Sequence, residues 1–352
     1  MRVFEHDTLA QRVLFGSGRA GANLVAEVKR LGAKSVMVIA SELEAEIAAN
    51  VVRGIAVALH YDDVAPHVPI DKAEKARTAA VDNNIDLLVS VGGGSTTGLA
   101  KAIALKLDIP IVAVPTTYAG SEATNVWGLT EAARKTTGVD KRVLPVAVIY
   151  DATLTLSLPI DLTVASGMNA LAHCVDSMWA PRADPINAAF ATEGIRTLAT
   201  SLPAVKMNSQ NLGAREDCLY AAYMSAVAFA SAGSGMHHKI CHVLGGAYTL
   251  PHAETHAIVL PLVLAFNEEA APDAELRIAN AFGTATARLG LNQLREELEA
   301  PVALREYGFA EGDISDAVRL ILPMIPRSNP RTVTPENLED LLRAAWAGEI
   351  PS

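Results

Sequence analysis

The sequence is short of cysteine, of aromatic residues and of positive charge, and each shortage closes off a class of function. Only three of its 352 residues are cysteines, Cys174, Cys218 and Cys241, an odd number without CxxC spacing. That pattern supports neither a disulfide framework nor a structural zinc site. Aromatic residues make up 5% and apolar residues 50%, so the core is expected to be Ala, Val, Leu and Ile, as in helices packed on a sheet. Twenty-nine basic residues stand against 39 acidic ones, a formal charge of −10 at pH 7, and no Lys/Arg run exceeds two residues. A duplex nucleic-acid partner needs a basic face, and none is encoded. The start, MRVFEHDTLAQRV, lacks the apolar core of a secretory signal, and no unbroken apolar run reaches membrane-spanning length. The expectation is a protein of the reducing cytoplasm with neither a membrane nor a nucleic-acid partner.

What is present is an alternation of short apolar runs and amphipathic stretches. The segments 34–40, 54–61, 85–91, 110–114 and 145–150 are rich in β-branched residues and read as strands, with 12–16 as a further edge strand. Between them, 19–31, 42–52, 71–83 and 96–107 carry apolar residues at helical spacing. Such β/α alternation predicts a parallel, Rossmann-like sheet with right-handed crossovers. From about Leu156 long Ala/Leu-rich helical patterns take over, at 164–178, 186–202, 216–231, 274–289, 313–325 and 338–347. The last is punctuated by Thr334 as N-cap, Pro335 at the first helical position and Gly348 beyond the final turn. An α/β domain over 1–156 and an all-α domain over 157–352 are therefore expected.

After the strand at 85–91 comes Gly92-Gly93-Gly94-Ser95-Thr96-Thr97-Gly98, opening the next helix. Glycines let a backbone approach a phosphate, and a helix N-terminus offers free N–H donors and partial positive charge. The spacing is neither GxGxxG nor a P-loop, so its context carries the argument, and a tight ligand-free turn is the plainer alternative. Ligands of open α/β sheets lie at strand C-terminal ends, which points to a dinucleotide held by Gly93, Gly94, Ser95 and Gly98. The next strand ends in Thr116-Thr117-Tyr118-Ala119-Gly120-Ser121, whose hydroxyls could bond a ribose or a nicotinamide amide. After the strand at 34–40 the polar residue is Ser41 instead of a carboxylate, so NADH and NADPH both remain open.

Five of the nine histidines, His237, His238, His242, His252 and His256, fall within twenty residues of one another. His238 and His242 are four apart on one helix face, and Asn169 and His173 repeat that spacing 69 residues earlier. An i, i+4 histidine pair with a third histidine is common metal-ligand geometry. Here, however, Asn169 brings no negative charge to the set and Lys239 adds a positive one, which favours an anion over a dication.

GGGSTTGLAK (92–101), PTTYAGSEAT (115–124), GMNALAHCVDSMW (167–179) and GMHHKICHVLGGAYTLPH (235–252) together resemble the iron-containing alcohol dehydrogenase superfamily over nearly the whole chain, and within it the maleylacetate reductase branch. The resemblance implies a dehydroquinate synthase-like architecture: a dinucleotide-binding N-terminal domain, a helical C-terminal domain and an active site between them. In metal-dependent members an Asp and three histidines hold Fe or Zn; carried over, these positions are Asn169, His173, His238 and His252, with His242 near the nicotinamide. The Asp is absent here, so a degenerate site that needs no metal is implied. Gly98 is a second departure, since many members have Asp there, and the TTYAGSE loop is one residue short of the common form. Lys135 approaches the cofactor by the same analogy.

The implied activity is the NAD(P)H-dependent reduction of the conjugated C=C bond of 2-maleylacetate to 3-oxoadipate in bacterial breakdown of aromatic compounds. Hydride added to the alkene carbon remote from the ketone leaves an enolate, which donor side chains can stabilise without a Lewis acid. On that reading Lys239, His67, His173 and His238 hold the two carboxylates, and His242 or His252 stabilises the enolate or delivers the proton. A homodimer is the commonest soluble assembly. The competing expectations are a metal-dependent alcohol or polyol dehydrogenase that uses Asn169 as a ligand, a lyase like dehydroquinate synthase that uses NAD without net consumption, and a nucleotide-binding protein without catalysis.

Overall fold

The computed structural model describes residues 3–131 and 134–351. Among them are eight strands: β1 (Arg12–Phe15), β2 (Val36–Ile39), β3 (Leu59–Tyr61), β4 (Leu87–Gly92), β5 (Ile111–Pro115), β6 (Val126–Glu131), β7 (Arg134–Val139) and β8 (Ala147–Tyr150). The chain divides into two compact units, one spanning Leu9–Leu158 and the other running from Pro159 to the C-terminus together with the segment that ends at Thr8. The predicted boundary at 156/157 differs from this in where the first eight residues belong. His6 explains their affiliation: its Nδ1 lies 2.8 Å from an Asp184 carboxylate oxygen of the helical unit.

The α/β unit is built on a six-stranded sheet in the order β1-β8-β5-β4-β2-β3, every pairing parallel. Four helices cover it, α1 (Ala20–Leu31), α2 (Ala45–Val51), α3 (Ile70–Asp82) and α4 (Gly94–Leu107). A parallel sheet covered on both faces needs apolar side chains in both directions, and β4 supplies them by simple alternation. Leu87, Val89 and Val91 pack with Leu24, Ala48 and Val51, whereas Leu88 packs on the opposite face with Ala76, Leu99 and Ile103. The antiparallel pair β6-β7 forms a separate two-stranded sheet that the sequence pattern did not announce. Its Thr-, Gly- and Lys-rich strands lack the apolar alternation by which a half-buried strand is recognised.

The helical unit contains α5 (Ile160–Ser177), α6 (Pro185–Met207), α7 (Leu212–Ala232), α8 (Met236–Ala247), α9 (His252–Asn267), α10 (Pro272–Phe282), α11 (Ala287–Leu298), α12 (Ile314–Ile321) and α13 (Pro335–Ala347). The single helix predicted over 274–289 is two. Gly283 at φ 72° closes α10 in the left-handed conformation, and the Thr286 side chain caps α11 by accepting from the Leu289 N–H. Helix α13 starts as predicted, with Thr334 and Asn337 forming a reciprocal capping box before Pro335. Helices α5, α8 and α9 carry Asn169, Lys239 and the clustered histidines, and α8 and α9 share one apolar core with α12 and α13. Among the described residues no helix is long and apolar enough to cross a membrane.

Candidate active site

In the α/β unit the sheet order reverses between β2 and β4: β2 leads outward to β3, and β4 leads the other way to β5. This switch point opens a crevice at the strand C-termini, where β4 ends in the glycine turn. Gly92 sits at φ 153°, and a Cβ there would lie 2.5 Å from Thr96 Oγ1, so only glycine fits. Gly93 is the N-cap of α4, and the ladder begins with the Thr97 N–H donating to the Gly93 carbonyl at 3.1 Å. The N–H groups of Gly94, Ser95 and Thr96 thus have no partner within the helix, and Gly93, Gly94 and Ser95 are all partly open to solvent.

The loop after β5 lies alongside. Thr117 and Ala119 border Gly93 and Gly94, at 3.0 Å and 3.5 Å from where their Cβ atoms would stand. Thr116 is 5% exposed and Tyr118 is wholly buried, so the Tyr118 ring belongs to the core and not to the crevice. Gly98 faces away from the turn toward Val68, whose Cγ2 occupies the space a Cβ would take, at 2.8 Å. The Ser41 hydroxyl donates to the Glu44 carboxylate. Lys135 lies on β7, and its side chain is outside the described residues. His67 and Val68 both have positive φ, 60° and 50°, uncommon for any side chain and a real outlier for a β-branched one. That loop is pinned to β6, where the Thr130 Oγ1 donates to the His67 carbonyl at 2.9 Å and the Thr130 N–H to the Val68 carbonyl at 3.1 Å.

Beneath the loop is a buried polar support that sequence reasoning missed. The Lys101 ammonium donates to the Ser121, Thr124 and Val126 carbonyls at 2.6, 2.8 and 2.8 Å and to Thr124 Oγ1 at 3.0 Å. Burial lowers its pKa to about 7, opposed by the nearby Glu122 carboxyl. Glu122, raised by its own burial, accepts from the Tyr150 hydroxyl at 2.8 Å. Lys101 and Glu122 stand inside the quoted motifs, but only the fold shows that they shape the loop and do not line it.

In the helical unit, α5 presents Asn169 and His173 one turn apart. His173 stacks on Phe229 of α7 with ring centroids 4.7 Å apart, and on His238 of α8 at 4.9 Å and 8° between planes. The His237 and His238 rings lie 4.8 and 4.9 Å from that of His256; His252 is 4.4 Å from His256 and 6.4 Å from His242. The five clustered histidines and His173 are therefore brought together in one unit, with half-buried Lys239 on the same helix.

Asp176, three residues after His173, organises the cluster. Its carboxylate accepts from the N–H groups of Gly235 at 2.9 Å and His237 at 3.3 Å, and from His238 Nδ1 at 2.7 Å. It thereby caps α8 from a neighbouring helix, and Gly235 must be glycine because a Cβ would lie 2.4 Å from the carboxylate. Burial pushes the Asp176 carboxyl up while the facing N–H groups pull it down. His238 is pushed down to about 3 by burial and by the charge of Lys239, and is therefore neutral at physiological pH. Donating its Nδ1–H to Asp176 leaves Nε2 with a bare lone pair. His237 is likewise lowered to about 3, and His173 and His256 fall well below the ordinary value, burial leading each time. Buried Asn169 Oδ1, His173 Nδ1 and His238 Nε2 have no hydrogen-bond partner. The result is a buried cluster of uncharged imidazoles with Asn169 beside them.

A family model described as iron-containing alcohol dehydrogenase matches residues 10–152, and the C-terminal model of the same family matches 163–346. The chain belongs to the iron-containing alcohol dehydrogenase family. Within the family it is similar to maleylacetate reductase 1 of Cupriavidus pinatubonensis, at 41% identity over 353 residues, covering 100% of this chain and 99% of that one. The solved maleylacetate reductase of Agrobacterium tumefaciens superposes with a TM-score of 0.93 at 37% identity, covering 100% of both chains. The solved iron-containing alcohol dehydrogenase of Corynebacterium glutamicum does so with a TM-score of 0.97 at 60% identity, covering 99% of this chain and 98% of that one. These relatives share the α/β and helical architecture read from the sequence.

The family name implies iron, and the residues at hand fit it poorly. Asn169 contributes no charge where an anionic ligand would stand, and His173 and His238 lie with their rings stacked in parallel. Among the described residues the group of His, Cys, Asp or Glu donors lying within 4.8 Å of one another is His237, Cys241 and His256. It contains none of the four positions that correspond to family metal ligands.

Proposed function

We propose that the protein is a maleylacetate reductase that passes hydride from NADH or NADPH to the C=C bond of 2-maleylacetate, giving 3-oxoadipate. The observation that carries the reading is the full-length similarity to maleylacetate reductases. The site chemistry supports it. The N–H groups of Gly94, Ser95 and Thr96 at the glycine turn face the cofactor diphosphate, with the hydroxyls of Thr116, Thr117 and Ser121 on the neighbouring loop and Ser41 after β2 as further contacts. Hydride then adds to the alkene carbon remote from the ketone, the electron pair moves to the ketone oxygen, and one proton is taken up at the adjacent carbon. Atoms and charge balance with one NAD(P)H and one proton consumed per turnover.

The substrate is a dianion, which suits neutral imidazoles beside the Lys239 ammonium, whereas a dication would find no carboxylate at Asn169 to offset its charge. Lys239 anchors a carboxylate, with the His173–His238 stack assisting. Negative charge next to the depressed His173 and His238 imidazoles raises their pKa, so substrate arrival favours their protonation, and the enolate carbon needs one proton more. His242 or His252 delivers that proton. No step needs a metal, because conjugation already spreads the charge that a Lewis acid would otherwise hold. The enzyme works as a cytoplasmic homodimer.

The similarity to a structure named iron-containing alcohol dehydrogenase favours one second reading, a metal-dependent aldehyde or alcohol chemistry. A single assay separates them: NADH and NADPH oxidation with maleylacetate and with simple aldehydes, each with and without chelator. Chelator-resistant turnover of maleylacetate is expected. Chelator-sensitive aldehyde turnover with none of maleylacetate would overturn the proposal, and a product formed without net NADH loss would point to a lyase.

A further inference from the structure

Helices α8 and α9 carry a second donor set beside the one that corresponds to the family's metal positions. His237 and Cys241 are one turn apart on α8, and His256 is one turn beyond His252 on α9. His237 Nε2 is hydrogen-bonded to His256 Nδ1 at 2.9 Å and to Cys241 Sγ at 3.7 Å, all three side chains are buried, and an ion would take the place of the protons they now share. The geometry points to a His237–Cys241–His256 site for a thiophilic borderline cation of the zinc class.

Two features support this assignment. Metal–nitrogen bonds of about 2.0–2.1 Å and metal–sulfur bonds of about 2.3 Å set ligand–ligand edges near 3.3 Å for two nitrogens and near 3.6 Å for nitrogen and sulfur in a tetrahedral site. The observed 2.9 and 3.7 Å need only a slight opening of the imidazole pair. Next, Cys241 supplies on deprotonation the negative charge that Asn169 cannot, and a thiolate selects zinc over iron or magnesium. The His237 and His238 rings are 5.1 Å apart, so an ion here would tie α8 to α9 next to the histidines of the proposed reaction. The inference does not depend on the substrate: it concerns a tie between two helices, whatever reaction the neighbouring pocket performs.

Cobalt(II) alone is the probe, added to chelator-stripped, reduced, full-length protein under anaerobic conditions. One equivalent is expected to bind with a near-ultraviolet thiolate-to-cobalt band and the visible bands of tetrahedral cobalt. One equivalent of zinc should abolish those bands and raise the melting temperature. Cys241→Ser and His256→Asn should each lose the band, with far-ultraviolet circular dichroism of the stripped protein as the folding control, while His173→Asn should keep it. Wild-type protein that binds no cobalt, or binds it without a thiolate band, overturns the site. So does a band that survives Cys241→Ser, or one that is lost in His173→Asn while that variant remains folded.

Discussion

Replacing Asp176 with Asn changes one heavy atom and tests the whole organisation of the histidine cluster. The carboxylate accepts three N–H groups, two on Oδ2 from Gly235 and His238 and one on Oδ1 from His237. An amide cannot accept on both sides. If its oxygen takes the Oδ2 position, the new NH2 meets the His237 N–H head on and leaves a buried donor unsatisfied. If it takes the Oδ1 position, the NH2 faces His238 and forces that ring into the opposite tautomer, turning Nε2 from acceptor to donor. Either way one charge-assisted hydrogen bond, worth about 1.5–3 kcal/mol, is lost. For a unit of this size about 1 kcal/mol moves the melting temperature by roughly 2–4 °C, so a fall of about 3–12 °C is expected. Outer-sphere partners of active imidazoles typically carry about 10–100-fold in activity. The expected signature is a kcat for maleylacetate lowered by about that factor with the KM for NADH unchanged, since the glycine turn proposed for the cofactor belongs to the other unit. A purely structural Asp176 would lower the melting temperature and leave kcat per folded molecule intact. Unchanged kcat and unchanged melting temperature would refute the reasoning altogether.

Four further outcomes follow from named groups. His173, His237, His238 and His256 all have pKa values depressed in the folded state, so the unfolded chain binds more protons than the native one as pH falls below the ordinary histidine value near 6.5. Stability is therefore full above that value and lost on acidification toward pH 3, by up to ~1.4 kcal/mol per pH unit for each imidazole; a melting temperature that stays flat from pH 6.5 to 4 would contradict this. Lys101→Met leaves four buried oxygens without their donor and is expected to cost about 3–5 kcal/mol and raise the KM for NADH several-fold, which thermal melts and steady-state kinetics check. Wild-type Lys101 titrates near 7 when folded against about 10.5 unfolded, so the α/β unit should gain stability as pH rises from 7 toward 10. Binding of maleylacetate should take up protons at pH 7.5, read with an indicator dye, and this uptake should fall sharply in His238→Asn; proton-neutral binding would remove the coupling of substrate charge to imidazole protonation.

The α/β half was legible because parallel strands buried on both faces announce themselves as apolar runs, and each expected strand from 12–16 to 145–150 has a counterpart in the sheet. The hairpin β6-β7 was not, because its strands carry Thr, Lys and Gly and take their order from contacts such as Thr130 with the His67–Val68 loop, 62 residues or more away in sequence. Helices α8 and α9 were read only through their histidines, since a helix lined with imidazole on one side offers no polar face to contrast with an apolar one. The same limit applies to the site. His238 and His242 spaced four apart could be seen as neighbours, yet whether they meet as cations, neutral rings or ligands depends on burial and on Asp176, which a sequence cannot weigh. Asp176 did leave a trace: an acid three residues after a histidine on an otherwise apolar helix is expensive to bury and must be answered by donors. Those donors are the first N–H groups of α8, and they place the acid below the imidazoles. An Asp at position 169 would stand level with His173 on the same face of α5 and aim a negative charge into the pocket. The substitution of Asn at that one position, with Asp176 retained beneath, keeps the histidines oriented while leaving the pocket free of fixed negative charge. For a dianionic substrate, that difference decides whether the pocket attracts or repels.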